Sequence, residues 1–216
     1  MRPHALTLLV AVAAMAVFSS GDAFAQDARP GRPASPGLRE VTADESSGRP
    51  AGWLGFSLGA GSEAYSIKGD GYGYSSYLTR PTVTIDGAAR LSRTFDLGGE
   101  LAGWFNSEGG YDQALSSLML VGSWYPAGRG LFLKGGLGLG FSTVNGYYPY
   151  GYGYYRRTDV GFAGQLGVGA ELRVARRTVL VPSLTLYQHD YSSRDLPGYR
   201  ERIVNVGLGL RFRLPH

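Results

Sequence analysis

From residue 53 onward the chain alternates apolar and polar residues in runs that repeat eight times, and period-two alternation is the mark of strands with two unlike faces. The pattern predicts strands over 53–61, 79–91, 95–105, 113–125, 131–143, 159–174, 179–190 and 201–214. In the sixth run, Val160, Phe162, Leu166, Val168, Ala170 and Leu172 share one face, and Asp159, Gln165, Glu171 and Arg173 share the other. The last run repeats this with Val204, Val206, Leu208, Leu210 and Phe212 against Asn205, Gly207, Gly209, Arg211 and Arg213. The fifth sets Leu133, Leu137, Leu139 and Phe141 against Lys134, Gly136, Gly138, Gly140 and Ser142. The fourth, around 116–123, is ambiguous in phase.

Strands of this kind need somewhere to put an apolar face and unpaired edges. A closed barrel in lipid satisfies both demands, and each run is long enough for the roughly 9–11 tilted residues that cross a bilayer. A soluble barrel with an apolar interior is the competing arrangement. Against it stand tight connections after the second, fourth and sixth strands, opposite mostly long polar ones after the first, third, fifth and seventh. Trp53, Trp104, Trp124, Tyr125 and Tyr187 also fall toward strand ends, where an interfacial aromatic girdle is expected. The expectation is an all-β protein: an eight-stranded antiparallel up-and-down transmembrane barrel over 51–216.

The amino terminus reads differently. Arg2, an apolar run over 5–18 and Ala23-Phe24-Ala25 have the three-part layout of a signal peptide over 1–25, and export is the expectation. The stretch 26–50, with Pro30, Pro33, Pro36 and Pro50 among Gly, Ser and charged residues, has no periodicity that buries a face and reads as a flexible periplasmic linker.

Composition narrows the chemistry. The 216 residues contain 34 glycines and 15 tyrosines but no cysteine, which excludes disulfides and a lipid-modified cysteine. The formal charge of +4 arises mostly from arginines spread along the chain, singly or in pairs, without the basic stripe that nucleic-acid binding needs. One histidine within the predicted barrel, His189, and no cysteine cannot build a zinc site, so neither metal nor cofactor is expected. Gly55-Phe56-Ser57-Leu58-Gly59 spells a hydrolase nucleophile elbow, but it lies inside a strand alternation with no helix to follow.

With the apolar face outward, the lumen receives Asp86, Arg90, Glu100, Lys134, Glu171, Arg173 and Arg211, of both signs, which predicts a mutually neutralising ion network and a plug rather than a channel. The loop over 145–157, NGYYPYGYGYYRR, offers Tyr147, Tyr148, Tyr150, Tyr152, Tyr154 and Tyr155 with Arg156 and Arg157. Tyrosine supplies contact area at small entropic cost, glycine adaptability and arginine a grip on anions, so this loop is the candidate binding surface.

The strand count, the loop asymmetry and the closing stretch Asn205-Val206-Gly207-Leu208-Gly209-Leu210-Arg211-Phe212 resemble the small eight-stranded outer-membrane barrels of the OmpA, OmpX and Ail type, over about 53–214. That resemblance implies cell outer-membrane location, contact with lipid and lipopolysaccharide, and recognition of the last strand by the assembly machinery. The chain departs from the usual aromatic ending by running on through Arg213-Leu214-Pro215-His216. Outer-membrane lipid A deacylases share the architecture and use a histidine, a serine two residues later and a glutamate. Here His189 is followed by Asp190 and Tyr191, Ser192 comes one residue late, and the alternation turns His189 into the lumen. The expectation is therefore a non-enzymatic barrel with a structural or surface-recognition role. A lipid A-modifying enzyme and a narrow pore are the alternatives.

Overall fold

The computed structural model describes residues 52–67, 74–75, 77–108, 111–128, 130–147, 154–191 and 198–214. The signal-peptide and linker readings over 1–50, and Tyr148, Tyr150 and Tyr152, lie outside these described residues. The strands are β1 (Gly52–Ile67), β2 (Leu78–Arg90), β3 (Phe95–Glu108), β4 (Tyr111–Trp124), β5 (Leu131–Tyr147), β6 (Tyr154–Ala170), β7 (Leu172–Arg173), β8 (Thr178–Tyr191) and β9 (Tyr199–Leu214). Sequence neighbours pair antiparallel around the sheet except β6 and β7, and two pairings close the cylinder: β1 with β9, and β6 with β8.

The two-residue β7 is β6 resumed. Gly169 faces Ser183 and Leu172 faces Leu180, so the register is unchanged across the gap. Pro182 lies in that gap on β8 and has no N–H to donate, while the Glu171 amide bonds the Gly130 carbonyl at 3.0 Å. β6 and β7 thus count as one spanning strand, and the barrel has eight.

Its faces follow the alternation. Leu137, Leu166 and Leu208 are 62%, 69% and 54% exposed, whereas Glu100, Lys134 and Arg211 are 2%, 8% and 5% exposed. A continuous apolar exterior of this extent is far beyond the few hundred Å² that a soluble monomer shows, so the wall faces lipid. The soluble-barrel alternative is inverted with respect to this arrangement.

The strands run further than the alternation predicts at the loop end. β5 and β6 continue as a ladder to Tyr147 opposite Tyr154, absorbing part of the tyrosine-rich segment. β3 and β4 reach Glu108 opposite Tyr111, so only residues 109–110 join them where a long polar loop was expected. Polar strand tips break the apolar period while their backbones go on pairing. At the opposite, turn end, the ladders finish in short connections such as Leu91 N to Phe95 O at 3.0 Å and Val174 N to Thr178 O at 3.2 Å.

β4 resolves the ambiguous phase unexpectedly. Leu115, Ser117, Met119, Val121 and Ser123 face inward, and Leu118, Leu120 and Trp124 outward. The lumen is therefore partly apolar: Trp104, Leu115, Met119, Val121, Ala163, Tyr187 and Ile203 form one cluster, and Tyr125, Phe132, Val179 and Val181 a second. The predicted girdle is corrected accordingly. Trp53, Trp104, Tyr125 and Tyr187 are buried and only Trp124 of the five faces out, because an eight-stranded interior must be filled and rings fill it efficiently.

Candidate functional site

Two regions gather polar chemistry: the lumen and the loop-end rim. In the lumen, β2, β3, β5 and β9 each present alternate residues inward, and this periodicity brings opposite charges together across the cylinder. Lys134 Nζ meets Glu100 Oε2 at 2.7 Å, and Glu100 also accepts from the Tyr187 hydroxyl at 2.8 Å. Nearer the turn end, Arg211 lies 3.2 Å from Asp86 and 3.4 Å from Glu171, while Arg213 reaches Glu171 at 3.2 Å. Arg90 and Asp96 pair at 2.7 Å, and the Trp53 indole N–H donates to the same carboxylate at 3.1 Å. The Arg211 guanidinium also sits 3.7 Å from the Trp53 ring centroid, a cation–π contact that helps replace lost hydration.

Of the expected lumen ions, Asp86, Arg90, Glu100, Lys134, Glu171 and Arg211 are brought together here. Arg173 is the exception. It keeps the inward register, opposite Val179, but lies at the turn-end rim, exposed, with its guanidinium directed to the Ala175 and Arg176 carbonyls at 3.4 Å. Alternation assigns a face, and height in the barrel decides whether that face is enclosed.

Toward the loop end, the lumen holds a second polar group, around His189, the one histidine of the predicted barrel. Glu201 is fully buried and accepts from the Tyr199 hydroxyl at 2.7 Å and the Ser142 hydroxyl at 3.4 Å. His189 Nδ1 stands 3.9 Å from the other Glu201 oxygen. The ring is 2% exposed and fits because residue 140 is glycine, where an added Cβ would lie 2.9 Å from its Cδ2. Below it, a cavity of about 10 Å³ lies among Thr82, Ser117, Tyr187, His189 and Asn205, room on the order of one water. Ser57 of the elbow-like motif is an inward residue of the β1 ladder, opposite Thr84 and Gly209. Among the described residues, no three His, Cys, Asp or Glu side chains converge as a metal site.

At the rim, Arg80, Arg157 and Arg200 are neutralised among the described cations. Arg157 holds Asp159 in a bidentate pair, with Nε to Oδ2 at 2.7 Å; Arg80 binds Glu108; Arg200 binds Asp190 at 3.0 Å. Arg156 is exposed on the outer face opposite Asn145. Tyr147, Tyr154 and Tyr155 lie on the β5–β6 ladder. A cluster of Tyr74, Gln188 and Arg202 also forms at this end, and its sequence signal is visible in retrospect: the outward positions of β8 and β9 change from Leu186 and Val204 to Gln188 and Arg202 in one step.

No protein-family model matches the chain, and no curated protein matches it by sequence. Solved structures do match. Ail, the attachment invasion locus protein of Yersinia pestis, in complex with the heparin analogue sucrose octasulfate, is 17% identical with a TM-score of 0.53, covering 74% of this chain and 99% of that one. Neisserial surface protein A (NspA) is 12% identical with a TM-score of 0.50, covering 74% and 97%. The eight-stranded architecture is shared with these proteins, and the apolar exterior makes this chain a lipid-facing membrane β-barrel.

Proposed function

We propose that this outer-membrane barrel is non-enzymatic and serves surface recognition of an adhesion type through its extracellular end, on a body that also supports the envelope. The observation that carries this reading is the packed lumen. Among the described residues paired ions lie below, apolar rings cross the middle and the cavity beside His189 has room on the order of one water, an interior that favours contact at the exterior. There the β5–β6 ladder carries the tyrosine-rich segment and the exposed Arg156 to its tip. The similarity to Ail, crystallised with a heparin analogue, makes sulfated glycans the first ligand class to test.

The test is a binding screen of the purified barrel against sulfated glycans and matrix proteins, comparing the full chain with a variant lacking residues 148–153 and with Arg156→Glu. Retained assembly with reduced binding supports the proposal; undiminished binding in both variants removes it.

The proximity of His189 and Glu201 gives a lipid A-modifying enzyme its one favourable observation. Its chemistry fits poorly, since Ser142 bonds the glutamate rather than the imidazole and His189 is buried on the inner face, away from the lipid side of the wall. An acyl-chain difference in lipid A mass spectra that disappears in His189→Ala cells would favour the enzyme.

A further inference from the structure

Along the β8–β9 ladder the outward rungs run Leu180 with Leu210, Pro182 with Leu208, Leu184 with Val206 and Leu186 with Val204, then Gln188 with Arg202 and Asp190 with Arg200. The wall therefore turns from hydrocarbon-facing to polar within one rung. Arg202 is the first cation above the apolar belt and stands at the height where outer-leaflet headgroups begin.

Its head is held in place. The guanidinium lies 4.4 Å from the Tyr74 ring centroid, and its Nε donates to Gln188 Oε1 at 3.3 Å. The Tyr74 hydroxyl donates to the same Gln188 oxygen, also at 3.3 Å. Tyr74 is itself fixed by its neighbour: Ser75 N bonds Tyr65 O at 2.8 Å, and Tyr65 N bonds Ser75 Oγ at 3.1 Å. Among the described residues no carboxylate pairs with Arg202, whereas Arg200 one rung higher is occupied by Asp190. A cation ordered by stacking, without a carboxylate partner among the described residues and placed at a lipid interface, is arranged to receive an anion there. Guanidinium matches phosphate through parallel N–H donors.

We propose that Arg202, oriented by Tyr74 and Gln188, seats the phosphate of an outer-leaflet glycolipid whose acyl chains lie along Leu186 and Val204. The continuity of the cation with the apolar belt identifies the lipid as the source of the phosphate, since a free anion makes no use of that belt.

The experiment incubates the folded full chain in neutral-detergent micelles with bis-phosphorylated lipid A, with the same lipid after phosphatase treatment, and with inorganic phosphate, and counts retained adducts by native mass spectrometry. The expected result is one retained phosphorylated lipid, with apparent affinity lowered about tenfold in Arg202→Gln, the loss of one charge-assisted contact. Arg173→Gln, at the opposite rim, binds as the unaltered chain does. Tyr74→Ala lies off the ladder, keeps the barrel intact and lowers affinity about threefold, so the test stands even if Arg202→Gln does not assemble. Equal retention of the dephosphorylated lipid, equal retention of inorganic phosphate, or affinity unchanged in Tyr74→Ala or in a folded Arg202→Gln overturns the proposal.

Discussion

A charge enclosed within the barrel tolerates its burial only through its partner, and this makes single residues unequal. Lys134 and Glu100 are both buried and 2.7 Å apart, so Glu100→Gln leaves an ammonium without its counter-ion. The expected loss is about 3–5 kcal/mol in urea unfolding of the lipid-embedded protein. Pairing it with Lys134→Met recovers much of that loss, because the orphaned charge goes too. Arg173→Ala, at the solvated rim, shifts stability by less than about 0.5 kcal/mol. The tryptophans separate in the same manner. Trp124 faces lipid while Trp53 and Trp104 are enclosed, so brominated lipids quench the unaltered protein strongly and a Trp124→Phe variant much less.

Among the elements, β5 shows how closely the wall is coiled. A Cβ at Gly138 would fall 2.0 Å from the Leu118 carbonyl oxygen of β4, a backbone atom that cannot turn aside. Gly138→Val therefore blocks assembly or lowers the temperature of the heat-induced gel-mobility shift. A surface change such as Thr158→Val does neither. The same strand was among the most readable in the sequence, since Leu133, Leu137 and Leu139 against Lys134 and Ser142 leave one choice of faces. β4 was not readable, because Leu115, Met119 and Val121 inside are as apolar as Leu118 and Leu120 outside, and alternation is silent when both faces are oily. Trp104 and Tyr187 misled for a related reason: an aromatic near a strand end suits the bilayer interface and the packed interior equally well. The Arg202 cluster depended on Tyr74, a residue 128 positions away that only the closed fold brings to it.

At the scale of the whole molecule, the alternation of sealed polar and apolar layers in the lumen predicts electrical silence. Purified protein in planar bilayers gives no large steady single-channel currents, and their appearance would mean that the Trp104–Leu115–Ile203 layer opens. The cylinder is closed in part by the first and last strands, matched without a break from Gly52 with Leu214 to Ile67 with Tyr199. A polypeptide still emerging from the ribosome cannot make that seam, and neither can one shortened by a premature stop within β9. Such products carry two raw borders of unpaired amides and carbonyls, each a template for pairing with another chain.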